Sequence, residues 1–179
     1  MEADRNSGEK TGRACRRTVG DSPNLLHDCC NFAASRLAAL FLSCFAKLVF
    51  SGRENIPTRG PALLASNHIS HFDPCVMGTR LQRTIDFITS EEFFATPWSR
   101  LFFRSVACIP VNRFGVDRQA VRTVLRRFKQ GRIVGIYPDR GLRTGPQSFL
   151  GGAPLQEGAA ALAIMGNVPV IPCVVIGTD

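Results

Sequence analysis

From residue 61 onward, short apolar runs and amphipathic stretches take turns along the chain. Residues 62–66, 84–89, 106–111, 132–137 and 168–176 read as strands, each brief, rich in apolar side chains and bounded by turn formers. Between them, 74–81, 91–104, 117–130 and 155–166 carry helical spacing. In 117–130 the pattern is plainest: Val121, Val124, Leu125 and Phe128 form one apolar face, and Arg118, Arg122, Arg126 and Lys129 line another. Strand-helix alternation predicts a single α/β domain over 52–179, its sheet mixed and mostly parallel, with helices flanking it. Residues 138–154, rich in Gly, Pro, Arg and Thr, form a loop too long to be an idle connection.

Upstream the pattern changes. Residues 1–22 mix charge, Gly, Ser and Thr without apolar periodicity and predict a disordered tail. Residues 23–51 form an apolar, membrane-associating segment, with a helix predicted over 24–50 between Pro23 and Gly52. As helix, 32–50 would reach about 28 Å, nominally enough to span a bilayer. The uncharged stretch between Arg36 and Lys47 is only ten residues, however. Arg36, Ser43 and Lys47 fall along one stripe, the mark of a helix lying in the bilayer interface. The competing reading is a core helix whose polar stripe faces water. A secretory signal is not expected, because the apolar run starts far from Met1 and no small-residue cleavage site closes it.

Composition narrows the class. With 179 residues, 45% hydrophobic and 20% charged, the chain is neither wholly disordered nor a multi-span membrane protein. Its 22 basic residues against 14 acidic ones give a net charge of +8. Only Lys10, Lys47 and Lys129 are lysine, so the positive charge is mostly guanidinium, which forks onto phosphate or carboxylate. An anionic partner is implied. Nucleic acid ranks last, because no aromatic residues interleave with the basic ones on a strand face. Seven cysteines without a C-x-x-C pair predict a reduced, cytosol-facing protein with buried thiols and no cysteine-built zinc site.

Chemistry concentrates after the first strand, in the segment 66–74. His68 and Asp73 are five residues apart, about 140° around a helix, so they meet only if the chain turns. Asp73 before Pro74 also predicts a helix N-cap, one oxygen capping while the other holds the imidazole. A histidine held by a carboxylate is a general base suited to activating a hydroxyl. No serine or cysteine is paired with it, which favours direct attack by a substrate hydroxyl over a covalent enzyme intermediate. His68, His71 and Asp73 are also three potential metal ligands, and spacing alone leaves that reading open.

The run from Asn67-His68 to Asp73-Pro74 resembles the first block, histidine-x4-aspartate, of the glycerolipid acyltransferases, the lysophosphatidic acid (1-acylglycerol-3-phosphate) acyltransferases and their relatives. Residues 52–57 and 60–66 are similar to the lead-in these proteins share. Residues 90–98 through 109–113 resemble the second block, 137–143 the third and 168–172 the fourth. The resemblance implies that His68 deprotonates the acceptor hydroxyl and Asp73 orients it. It further implies substrate contacts for Asn67, Arg113, Asp139, Gly141 and Arg143, the two arginines clamping the acceptor phosphate, and an acyl-site or structural role for Pro172. No metal or prosthetic group is implied; acyl-CoA or acyl-carrier protein serves as co-substrate. The expected activity is acyl transfer to a lysophospholipid at an anionic membrane surface, on the cytoplasmic face (the inner membrane in a bacterium). The apolar helix and the basic run 100–132 would hold the site there. Asp139 stands where the family usually has glutamate and Arg140 where it commonly has glycine, and relatives generally continue past the position of Asp179. These departures keep two alternatives in view: another lysolipid acceptor, or a catalytically silent lipid-binding relative.

Overall fold

Among the described residues five strands pair in the order β3-β2-β4-β1-β5, and every pairing is parallel. They are β1 (Ala62–Ser66), β2 (Ile85–Ser90), β3 (Ile109–Val111), β4 (Ile133–Ile136) and β5 (Val170–Cys173). The computed structural model describes residues 24–178 except 80, 82, 114, 140, 144 and 155, so the tail predicted over 1–22 and the Arg140 departure lie outside the described residues. The helices are α1 (Leu25–Phe45), α2 (Asp73–Thr79), α3 (Pro97–Ser105), α4 (Arg118–Lys129) and α5 (Glu157–Gly166).

The sheet is parallel where a mixed one was expected, and the burial of β1 shows why. Ala62, Leu63 and Leu64 are consecutive and all fully buried, the mark of a strand covered on both faces. Leu63 joins Ile109, Val124, Phe128, Val134 and Leu162 beneath α4 and α5. Ala62 and Leu64 face the other way, onto Val76, Met77, Ile85 and Ile133, with Leu42, Leu48 and Phe50 packed around them. Asp117 starts α4 by accepting the amides of Gln119 and Ala120. The stretch predicted helical over 91–104 splits into a 3₁₀ turn, Glu91–Phe94, and α3. Pro97 cannot continue a preceding helix, and the Thr96 hydroxyl caps the new one through Ser99 N–H.

Helix α1 departs most from expectation. It stops at Phe45, five residues short of the predicted end, and Ala46 is extended. Beyond it Leu48 and Phe50 turn toward the core while Lys47 and Val49 face out, a period-2 pattern that burial of Leu48 and Phe50 imposes. Lys47 therefore leaves the stripe predicted with Arg36 and Ser43. The polar stripe that matters is a different one, Asp28, Asn31 and Ser35, and it faces the domain. Asn31 Nδ2 donates to the carbonyls of Ile85 (3.2 Å) and Val106 (2.9 Å). Asp28 accepts from Arg132 Nη2 at 2.7 Å. Arg132 also grips the fully buried Asp86 through Nε (2.6 Å) and Nη2 (2.7 Å), and Arg127 lies 3.5 Å from the same carboxylate. Arg132 is thus the pin holding α1 to β2 and β4, not the surface charge its position invites. The apolar side of α1, including Leu25, Leu26, Phe32, Leu37, Leu40, Phe41 and Phe45, is exposed. Among the described residues no helix is long and apolar enough to cross a membrane.

Two further corrections follow. Of the six described cysteines, all free, only Cys108 is buried; Cys29 and Cys44 are exposed because α1 turns its apolar side outward, and Cys75 is exposed on α2. Burial pushes the Cys108 thiol up to about 12, so it is no nucleophile at neutral pH. The basic run 100–132 is not one surface either. Helix α3 packs with α1 on one side of the sheet, whereas α4 and its arginines stand on the other.

Candidate active site

In a parallel sheet every strand points its carboxyl end the same way, and the loops that follow share one rim. His68 follows β1, Arg113 follows β3, Asp139, Gly141 and Arg143 follow β4, and Thr178 follows β5. His68 Nδ1 lies 2.9 Å from Asp73 Oδ2, so the turn inferred from sequence does bring the pair together. The same oxygen accepts the backbone N–H groups of Ile69 (2.8 Å) and Ser70 (2.9 Å). Asp73 is fully buried and opens α2, but its carboxylate reaches back into the loop before it instead of capping the helix amides ahead. Oδ1 accepts the Thr178 hydroxyl at 2.6 Å. Burial pushes the Asp73 carboxyl up, but the hydrogen bonds from His68, Thr178, Ser70 and Ile69 outweigh it and hold the group below the usual carboxylate range. It stays an anion, and it leaves Nε2 as the imidazole nitrogen available to a substrate.

A ring stack fixes the plane of that imidazole. Tyr137 lies against His68 with centroids 4.1 Å apart and an interplanar angle of 18°. Phe87 lies nearly parallel to Tyr137, 6.0 Å away and at 6°. The stack needs Gly135, which pairs with Phe87 in the sheet: a Cβ there would sit 2.6 Å from the Phe87 ring. Tyr137 is kept neutral, since burial and then the nearby Asp73 carboxylate push its phenol above the ordinary range. Its hydroxyl donates to Met77 Sδ at 3.6 Å.

The loop after β4 closes over the same place. Arg143 N–H donates to the His68 carbonyl at 2.8 Å, and Arg143 Nε to the Asp139 carbonyl at 2.9 Å. Asp139 is buried, its Oδ2 lying 3.4 Å from His68 N–H. Gly141 has φ +134°, a region closed to most side chains, and a Cβ on it would stand 3.7 Å from Arg113 Nη1. Arg113 and Arg143, both exposed, are thereby gathered at one rim although they follow different strands.

Other expected residues are placed differently. Asn67 is buried and spends its amide on Val175, accepting its N–H at 2.7 Å and donating to its carbonyl at 2.8 Å. It fastens the segment after β5 to the end of β1. Pro172 sits in β5 opposite Ala65, on the edge of the sheet, where a missing N–H costs little. His71 is exposed and stands edge-on to Phe93, 6.1 Å between centroids, and no metal-holding group of three His, Cys, Asp or Glu side chains forms among the described residues. A small cleft under α1, lined by Phe32, Ser35, Arg36, Gly78 and Leu81, meets the site only through Phe87. Sequence reasoning missed Tyr137, Phe87 and Thr178. Tyr137 opens the third block and was within reach; Thr178 is 105 residues from Asp73 and carries no local signal.

A histidine–carboxylate pair at the rim of a parallel α/β sheet, with two guanidiniums beside it, has the geometry of a group-transfer site, and known proteins give the family. The chain belongs to the acyltransferase family, whose profile matches residues 47–176. It is 30% identical over 121 residues to a 1-acyl-sn-glycerol-3-phosphate acyltransferase of Bacillus subtilis (strain 168), covering 67% of this chain and 58% of that one. A chloroplastic 1-acyl-sn-glycerol-3-phosphate acyltransferase of Brassica napus is 27% identical over 151 residues, covering 83% and 42%. The crystal structure of PlsC, the 1-acyl-sn-glycerophosphate (LPA) acyltransferase of Thermotoga maritima, shares the fold with TM-score 0.60 and 23% identity, over 79% of this chain and 54% of that one. The chain thus spans about half the length of the relatives it matches.

Proposed function

We propose that the chain transfers a fatty acyl group from a thioester, acyl-CoA or acyl-carrier protein, to the free hydroxyl of 1-acylglycerol-3-phosphate, giving phosphatidic acid at an anionic membrane surface. The observation that carries the reading is the 2.9 Å His68–Asp73 contact, with its carboxylate held by three further donors. His68 Nδ1–H donates to Asp73, and Nε2 takes the proton of the acceptor hydroxyl as the oxygen attacks the thioester carbonyl. The tetrahedral intermediate collapses with cleavage of the C–S bond, and the imidazolium returns its proton to the thiolate. Arg113 and Arg143 hold the acceptor phosphate by forked hydrogen bonds and aim the hydroxyl at His68. Asp139 and Gly141 shape the loop that presents them. Asn67 and Pro172 serve the frame. The exposed apolar side of α1 keeps the protein on the bilayer that holds the acceptor.

The test is transfer of radiolabelled acyl-CoA to lysophosphatidic acid in mixed micelles by the purified chain. Label enters phosphatidic acid with the wild type. His68→Ala lowers kcat by roughly 10²–10⁴-fold while lysolipid binding persists, and Asp73→Asn has a comparable effect. Wild-type activity in His68→Ala overturns the general-base role. Transfer only to a lysolipid with another head group replaces the acceptor named here.

A further inference from the structure

Helix α3 is amphipathic with its apolar side outward. Trp98, Leu101 and Phe102 are 81%, 63% and 53% exposed, and no residue of the helix is buried. A globular domain has no use for such a face, since each of these side chains would gain by leaving water. The helix lies beside α1, whose apolar side is also exposed: the two helices touch, and Asn31 of α1 donates to the carbonyl of Val106, which closes α3. Its charge is one-sided. The two helices present Arg36, Arg100 and Arg104, and their single carboxylate, Asp28, is engaged by Arg132. Glu92 precedes α3 as an exposed counter-charge. A tryptophan beside aliphatic and phenyl side chains, flanked by arginines, matches the boundary between acyl chains and anionic headgroups.

We infer that α3 is a second insertion element, entering the interface of an anionic bilayer through Trp98, Leu101 and Phe102. This rests on the membrane reading above and assigns it a site that α1 alone does not provide. It also orients the active site. Phe102 meets Phe103 edge-on, Phe103 meets Phe93, and Phe93 meets His71 of the His68 loop. Seating α3 brings the exposed Phe72 and Phe93 at that rim to the leaflet surface, where a lysolipid raises its hydroxyl.

Trp98 is the only tryptophan in the chain, so its emission reports the face directly. The full chain is mixed with vesicles of phosphatidylcholine containing phosphatidic acid, and flotation is measured beside fluorescence. Trp98 emission moves to shorter wavelength and is quenched by bromine-labelled acyl chains. Leu101→Glu and Phe102→Glu each lower the partition coefficient by roughly ten- to a hundredfold. Both residues are exposed, so the variants fold as the wild type does. Flotation with Trp98 still emitting as in water overturns the inference and leaves the membrane reading standing. Failure to float removes both. A concentration-dependent emission shift without lipid, matched by dimers in sedimentation, assigns the face to a second copy and overturns the inference.

Discussion

Tyr137 has no hydrogen bond to the His68–Asp73 pair, yet its ring covers one face of the imidazole and is itself backed by Phe87. An aromatic contact of this kind is worth about 0.5–1.5 kcal/mol beyond burial. If that energy holds the ring in plane for proton transfer, its loss falls on kcat. Tyr137→Phe, which keeps the stack and drops only the bond to Met77, is expected to retain kcat. Tyr137→Leu is expected to lower kcat roughly two- to tenfold with KM unchanged, measured by steady-state kinetics with lysophosphatidic acid. Residue identity was legible here only where chemistry and spacing are local. His68 and Asp73 announce themselves five positions apart. Asn67 did not reveal that its partner is Val175, because a side-chain amide reads alike whether it holds a ligand or a distant backbone.

At the scale of elements, α1 shows how far an apolar run underdetermines its own orientation. Its apolar residues lie nearly all round, so periodicity does not choose a face. Two short polar side chains choose it, Asn31 by finding two carbonyls and Asp28 by finding a guanidinium on the domain. Removing one partner of a buried ion pair costs about 3–5 kcal/mol, so Arg132→Met, which leaves the fully buried Asp86 only the longer contact to Arg127, is expected to lower unfolding free energy by about the lower end of that range in urea titration. Asp28→Ala removes a contact that is partly open to solvent and is expected to cost about 1 kcal/mol. Three strands and α4 were legible closely because their periodicity is strong and their ends are marked, as by Asp117, whereas β3 and β5 are shorter than the runs 106–111 and 168–176 predicted. The end of α1 was not, because Leu48 and Phe50 obey the core and not the helix.

Across the whole molecule the sheet separates two kinds of surface. The apolar sides of α1 and α3 share one face, and the stripe Arg118, Arg122, Arg126 and Lys129 lies on the other. Each layer adds roughly 10 Å, so the stripe stands beyond the Debye length, about 10 Å at 0.1 M salt, from a bilayer under α1. Reversing Arg118 and Arg122 to glutamate is therefore expected to change vesicle partition far less than reversing Arg36 and Arg104, measured by flotation at 0.1 M salt.

The chain by itself determined the alternation of strands and helices, the family blocks in order and the pairing of His68 with Asp73, because each rests on neighbours in sequence. Only the tertiary structure decided that the sheet is wholly parallel and that Arg113 and Arg143 share a rim. It alone decided that Thr178 completes the hold on Asp73, that Tyr137 fixes the imidazole, and which side of α1 faces the domain. These depend on groups that meet across strand order β3-β2-β4-β1-β5, and the order of strands in a sheet is set by how their faces bury together, which no stretch of sequence contains alone.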